Sequence, residues 1–167
     1  AVEKNKGIDK LVELRAPTVG DEVRAAAAAA LAVLSSGNQK IQGKVTAAGG
    51  IKPLVEMLQG DIDEHAKEEA AWAIGALSTA HYDNQVAVAD AGGIAPLVAV
   101  LGLSSDRARE QAGMALAALA LDNTKNKTSI AELLVTLLGS NDPQASAKAA
   151  HAISAMALAN AANQVAI

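Results

Sequence analysis

An eight-residue stretch, Ala-Gly-Gly-Ile-Lys-Pro-Leu-Val at residues 48–55, decides the fold. It returns 43 positions later, at residues 91–98, as Ala-Gly-Gly-Ile-Ala-Pro-Leu-Val. Gly7 and Ile8, followed by Leu11 and Val12, stand 43 positions before the first copy. Three sequence units therefore share one register, and a fixed period of this length indicates a stacked repeat architecture.

A second string keeps the same phase and reveals a fourth unit. Ala-Leu-Ala-Val-Leu at residues 30–34 is matched by similar strings at 73–77, 115–119 and 152–156. The last interval is about five residues shorter than the others, and the missing residues align with Asp90 to Ile94, which contain the Gly-Gly pair. With no Gly or Pro between Thr128 and Leu138, the sequence predicts that two helices fuse there into one.

Apolar spacing within each unit is helical. Ile51, Leu54, Val55 and Leu58 follow the i, i+3, i+4, i+7 pattern of a helix face. The Gly-Gly pair ends one helix, and the Pro that follows lies in the first turn of the next. Each unit is predicted as a short helix, a helix of about ten residues and a third helix of about four turns. Four aspartates stand near the predicted starts of the third helices: Asp21, Asp63, Asp106 and Asp142.

Composition narrows the function classes. The 167 residues are 51% hydrophobic but only 1% aromatic, they include no Cys, and the net charge is −4. An aliphatic core is expected, and disulfides and thiolate metal sites are excluded. No apolar run is long enough for a membrane span, and the first residues do not resemble a signal peptide. The acidic balance argues against nucleic acid as a partner, and a cytoplasmic location, with the nucleus also compatible, is expected.

These residues resemble the armadillo repeat of the beta-catenin and importin-alpha type, over nearly the whole chain. The resemblance implies an all-α, right-handed superhelix of about four three-helix repeats in one domain, residues 1–167. The approximate repeats are 1–38, 39–84, 85–126 and 127–163, with the start of a further repeat at 164–167. The two-helix HEAT repeat is the nearest competitor, but it lacks the short first helix predicted from Asn84 to Ala91.

The resemblance also implies a function. Armadillo arrays bind extended peptides or partner proteins in a concave groove lined by the third helices, without catalysis or cofactors. In the importin-like branch each third helix carries a Trp and, four residues later, an Asn that holds the peptide backbone. Here Trp72 is the one Trp retained, and Val33, Ala76, Ala118 and Ala155 stand where Asn would be. The predicted groove residues are Glu68, Trp72, Ala76, Glu110, Met114, Ala118 and His151.

The groove residues suggest a preference for cations. Glu68 and Glu110 stand one turn before the Trp position and are expected to be partly exposed in the middle of the groove. A Lys or Arg of a ligand would meet a carboxylate, the indole of Trp72 and the thioether of Met114 together. The sequence therefore predicts a protein or peptide partner that presents basic residues there.

Other candidate chemistry has simpler explanations. Acidic residues and His65 crowd residues 61–69, but an acidic first turn is favoured by the helix dipole, so no metal site is predicted. Ser78, His81 and Asp83 are the residue types of a hydrolase triad, yet all three lie in one predicted loop, and no catalytic residue is assigned.

Two alternatives to a peptide-binding module stay open. The chain could be a structural subunit packed permanently in a larger complex, since Ala-rich faces permit close packing. It could also be a HEAT-like regulatory or lyase-associated helical repeat. Residues 161–167 read as the opening of another ordinary unit, so we expect the chain to be a fragment of a longer array or to have its end covered by a partner.

Overall fold

The structure, a computed structural model, describes residues 6–13 and 18–164. Within them the chain forms ten α-helices and no strand. The helices are α1 Lys6–Glu13, α2 Asp21–Ser35, α3 Gln39–Ala47, α4 Ile51–Gln59, α5 Glu64–Ser78, α6 Tyr82–Asp90, α7 Ile94–Val100, α8 Asp106–Ala120, α9 Thr124–Leu138 and α10 Pro143–Gln164.

The helices follow the predicted three-helix order. The first helices are α3 and α6, the second helices are α1, α4 and α7, and the third helices are α2, α5, α8 and α10. Third helices of adjacent units pack along one another, while α4 and α7 pack behind α5 and α8. The all-α solenoid is therefore confirmed, and the observed α6 includes the short helix that distinguishes the unit from a HEAT repeat.

The Gly-Gly pair makes the turn between the first and second helices. After α3, Gly49 has a left-handed φ of 75°, and the Gly50 N–H donates to the Val45 carbonyl at 2.9 Å. This is the Schellman arrangement, which places the first Gly in a conformation that side chains disfavour. The second Gly is required by space, because a Cβ on Gly50 would lie 2.5 Å from Val45 Cγ1. Gly92 and Gly93 repeat the arrangement after α6.

Small residues let the third helices approach closely. At Gly75 of α5, a Cβ would lie 3.3 Å from the Ala115 Cα of α8, so the two backbones nearly touch. Leu31, Ile74 and Leu116 occupy the same position of successive third helices and are completely buried. The core is accordingly aliphatic, as the composition predicts, and its density depends on Ala and Gly rather than on aromatic rings.

The starts of the third helices match the predicted capping only in part. Asp63 caps α5 by accepting from the Ala66 N–H, and Asp142 accepts from the Gln144 N–H at the start of α10. Before α8 the cap is Ser105 rather than Asp106, and before α2 it is Gly20, which has no side chain to offer. Asp21 and Asp106 lie instead in the first turn, where a negative charge still favours the helix dipole.

The fourth unit has the predicted fusion. α9 runs without interruption for 15 residues, from Thr124 to Leu138, through the position where the earlier units turn. Between Thr128 and Leu138 its sequence supplies neither a Gly that would allow a left-handed φ nor a Pro that would remove a helical N–H. The loss of five residues thus converts two helices into one.

Candidate functional site

The third helices form a layer with one face against the second helices and one face open; we call the open face of α2, α5, α8 and α10 the groove face. On α8, Ala112, Leu116 and Leu119 are buried, whereas Glu110 and Met114 are exposed. The same division holds on α5, where Ala70 and Ile74 are buried and His65 is exposed. The helical repeat therefore places one stripe of each third helix on the groove face.

The predicted site residues differ widely in exposure. Glu68 and Ala76 are buried, Trp72 and Ala118 are half-buried, and Glu110, Met114 and His151 are exposed. Trp72 follows Glu68 by one turn of α5, so both start from the same side of that helix. Glu110 likewise precedes Met114 by one turn of α8, and of these residues Glu68 departs from its expected exposure.

Glu68 is buried because it has partners in the next unit. Its Oε1 lies 3.1 Å from Arg107 Nε, and its Oε2 accepts from Ser105 Oγ at 3.1 Å. The expectation of a partly exposed carboxylate is therefore wrong: Glu68 has only 6% of its surface exposed. A helix wheel of α5 alone places Glu68 near solvent, but the start of α8 covers it.

Arg107 also binds the neighbouring Glu69. One terminal nitrogen of the guanidinium lies 3.4 Å from Glu69 Oε1, so Arg107 bridges two carboxylates that are consecutive in the chain. His65 Nδ1 lies 3.8 Å from Glu68 Oε1 and 4.0 Å from Glu69 Oε1. We call these four residues, His65, Glu68, Glu69 and Arg107, the acidic cluster. It joins α5 to α8 on the groove face.

The acidic cluster is incompletely neutralised. Glu69 Oε2 is buried and has no hydrogen-bond partner in the described part of the chain. Burial raises the pKa of Glu69 above its ordinary value of 4.5, while Arg107 and His65 act in the opposite direction. Removal from water therefore outweighs the attraction of the guanidinium, and the ionised carboxylate is held at a cost.

The acidic cluster has the donors of a cation site, but it already holds a cation. One ligand atom each from His65, Glu68 and Glu69 lies within 4.8 Å of the other two. The guanidinium of Arg107, however, already contacts one oxygen of each carboxylate, Oε1 of Glu68 and Oε1 of Glu69. We therefore interpret the cluster as an ion-pair network, and no metal is assigned to it.

A second set of contacts fixes the start of α8 against α5. Glu64 accepts hydrogen bonds from Ser104 Oγ at 2.8 Å and from the Ser105 N–H at 3.2 Å. The hydrogen bonds from Ser104 are the main cause that lowers the pKa of Glu64 below 4.5. The Glu64 carboxylate, in the first turn of α5, thus binds the residues that precede α8 and thereby positions Arg107.

Sequence reasoning missed Arg107 as a groove residue. Its only sequence signal is its register: Arg107 occupies the second position of α8, as His65 does in α5. Its contact with Glu68 and Glu69 crosses 38 or 39 residues and depends on how far one unit is rotated relative to the next. Spacing within one helix carries no information on that rotation.

The other sequence candidates have structural roles. His81 caps α6, with its Nδ1 accepting from the Asn84 N–H at 3.4 Å, while Ser78 is buried at the end of α5. The prediction that all three lie in one loop is wrong: Ser78 ends α5, Asp83 lies in the first turn of α6, and His81 is the cap between them.

A surface cavity of about 300 Å³ lies beside the fused helix rather than on the groove face. It is lined by the turn between α6 and α7 and by Lys125, Ser129 and Leu133 of α9. None of the predicted site residues lines it. We attribute the cavity to the fusion in α9, which leaves the fourth unit without a separate second helix beside α7.

The comparisons agree with this architecture. The armadillo/beta-catenin-like repeat family matches residues 38–79, which comprise α3, α4 and α5. No curated protein sequence matches the chain. Among residues 6–13 and 18–164, no helix is both long and apolar enough to cross a bilayer.

Solved structures share the whole fold. An engineered protein is 30% identical with a TM-score of 0.73, and the match covers 91% of this chain and 63% of that one. Computationally designed armadillo repeat proteins for modular peptide recognition are 27% identical with a TM-score of 0.71, covering 90% and 64%. A designed armadillo repeat protein in complex with the peptide (KR)4 is 28% identical with a TM-score of 0.70, covering 89% and 64%.

Fold, family match and structural likeness together define the class: an α-helical repeat solenoid. Within that class, the chain matches one armadillo repeat at residues 38–79 and is similar over 90% of its length to designed armadillo repeat proteins. It spans somewhat less than two thirds of the length of the solved structures that it matches, 63% and 64% in these cases.

Proposed function

We propose that this chain is a non-enzymatic binding module whose groove face takes an extended, basic segment of a protein partner. The observation that carries the proposal is a shared register on the groove face: Glu68 stands one turn before Trp72 on α5, and Glu110 stands one turn before Met114 on α8. A peptide cation can there combine a carboxylate with an aromatic ring and a polarisable sulfur.

The dimensions suit a short peptide. Four third helices about 8 to 10 Å apart span about 30 Å, which matches eight or nine extended residues at about 3.3 Å each. The (KR)4 peptide bound to one of the designed relatives has this length and charge. The positions that would hold the peptide backbone in the importin-like pattern are Val33, Ala76 and Ala118, which lack an amide. Side-chain recognition therefore has to supply more of the affinity.

The test uses the sole tryptophan of the chain as a reporter. Titration with (KR)4 is expected to change the fluorescence of Trp72, and Trp72→Ala is expected to weaken binding of a labelled peptide. Glu110→Lys reverses an exposed charge on the groove face, and the matched control Glu56→Lys reverses an exposed charge on α4. We expect the first to weaken binding strongly and the second weakly. Equal affinities of all the variants would place the binding surface elsewhere.

A permanent place in a larger complex is the second candidate. It is supported by apolar side chains that α9 leaves exposed, with Val135 at 68% and Leu138 at 45%. Exposed apolar groups close together favour association. A solution mass measurement separates the two functions, because a monodisperse monomer is expected for the peptide-binding module and a stable oligomer for the subunit.

A further inference from the structure

Arg107 lies on the solvent side of the carboxylates that it binds. More than half of its side chain is exposed, 57%, whereas the side chains of Glu68 and Glu69 are only 8% and 5% exposed. The guanidinium therefore covers the two carboxylates on the groove face. Removing it would open them to solvent and to any ligand in the groove.

The acidic cluster can accept a cation from outside. It has two carboxylates and one guanidinium, and Glu69 Oε2 is buried without a partner among residues 6–13 and 18–164. Arg107 contacts each carboxylate through a single oxygen, at 3.1 Å from Glu68 and 3.4 Å from Glu69. An arginine from a ligand could reproduce these contacts, since a planar guanidinium spans two acceptors as an ammonium group does not.

We infer that Arg107 is an internal occupant of an arginine-binding site formed by Glu68 and Glu69, and that it lowers the affinity of the groove face for basic partners by competing with their arginines. The inference rests on the proposed function, because it concerns the same groove face. It differs in naming the ligand group, an arginine side chain, and the residue that limits its binding.

Position supports competition rather than cooperation. Arg107 is in the second position of α8 and reaches back to α5, so its guanidinium occupies the space between the units. Trp72 follows Glu69 by three residues on α5, and is half-buried beside the same stripe. A peptide arginine that displaced Arg107 would therefore lie near the indole, while the long side chain of Arg107 is free to turn into solvent.

The test compares two variants that lose the same charge. Arg107→Met uncovers the two carboxylates while keeping most of the side-chain volume. Arg109→Met is the matched control: Arg109 is two residues along α8, and its guanidinium binds the Leu103 and Ser104 carbonyls and Asp106 rather than the acidic cluster. Labelled (KR)4 and octalysine are titrated into both variants and into the wild-type chain.

We expect Arg107→Met to bind (KR)4 about tenfold more tightly than Arg109→Met, as a gain of one close charge pair implies. The gain is expected to be smaller for octalysine. Equal affinities of the two variants for (KR)4, with the wild-type chain binding, would overturn the inference and leave the proposed function standing. Absence of peptide binding by all three proteins would overturn both. Binding by Arg107→Met alone would support the inference.

A measurement on the wild-type chain covers the case in which Arg107→Met does not fold. Arg107 Nε lies 3.1 Å from Glu68 Oε1, so the NMR signal of its Nε–H is expected to report on this ion pair. Saturation with (KR)4 is expected to shift this signal and to speed its exchange with water. A bound peptide that leaves the Arg107 Nε–H unchanged would contradict displacement.

Discussion

The side-chain amide of Gln42 donates a 2.8 Å hydrogen bond to the Ala76 carbonyl, across 34 residues. It also donates to the Thr79 carbonyl at 3.2 Å, so α3 binds the last turn of α5, whose carbonyls lack helical partners. Gln85 repeats this one unit later, from α6 to the Ala118 carbonyl of α8. Buried amides thus join each first helix to the end of a third helix.

Removing the first of these amides should destabilise the fold. We expect Gln42→Ala to lower the free energy of unfolding by about 1 to 3 kcal/mol, because buried carbonyls lose their donor. The control is Gln39→Ala, which removes an exposed hydrogen bond to the Ala80 carbonyl and should cost less than about 0.5 kcal/mol. Urea unfolding measures both. Equal losses of unfolding free energy in the two variants would show that burial of the amide does not determine its contribution to stability.

Two turns after third helices contain residues in a disfavoured conformation. Ala80 has a φ of 53° and Asp122 a φ of 54°, at the position that Gly37 occupies in the first unit. An L-residue in this region costs about 1 to 2 kcal/mol, which exceeds the entropic cost of Gly. We therefore expect Ala80→Gly to stabilise the chain by about 0.5 to 1 kcal/mol in thermal unfolding. Gly37→Ala is the reverse change and should destabilise the chain. If Gly37→Ala were more stable than Ala80→Gly, the interpretation would be wrong.

The fused helix provides a position-specific test of the repeat alignment. Glu132 is exposed in the middle of α9, where a Pro would remove a helical hydrogen bond and clash with the preceding turn. We expect Glu132→Pro to cost about 3 kcal/mol or more. The aligned change Ala95→Pro falls in the first turn of α7, where the N–H has no helical partner, and should cost far less. Circular dichroism melts of the two variants give the comparison.

The sequence predicts the fold well because the fold is local. The Gly-Gly turn, the first-turn Pro and the absence of any breaker in α9 all act within a few residues, and the period then repeats them. The acidic cluster is different: whether Glu68 is solvated depends on Arg107, which belongs to the next unit. Repeat spacing shows that the two helices are neighbours, but the rotation between units decides which side chains meet. Glu110 has the same register as Glu68 and stays exposed.

Glu64 and Glu69 lie in the same helix and should respond to pH in opposite ways. Hydrogen bonds from Ser104 are the main cause that lowers the pKa of Glu64 in the folded chain. The ionised Glu64 therefore stabilises the fold above its ordinary value of 4.5, and this stabilisation is lost as the pH falls through the lower folded value. Glu64→Gln should accordingly be less stable than wild type at neutral pH and equal to it in acid.

For Glu69, ionisation has the opposite effect on the stability of the fold. Burial raises its pKa, against the attraction of Arg107 and His65 and with the repulsion of Glu68. The folded chain then binds the proton more tightly than the unfolded chain, so the penalty of the ionised carboxylate is fully present above the folded pKa and disappears as the pH falls to 4.5 and below. We expect Glu69→Gln to be more stable than wild type at neutral pH, with the difference vanishing in acid. Thermal unfolding from pH 3.5 to pH 8 measures the stability of Glu64→Gln and Glu69→Gln. A loss of stability in Glu69→Gln at neutral pH would mean that the attraction between Glu69 and Arg107 outweighs the cost of burying the Glu69 charge.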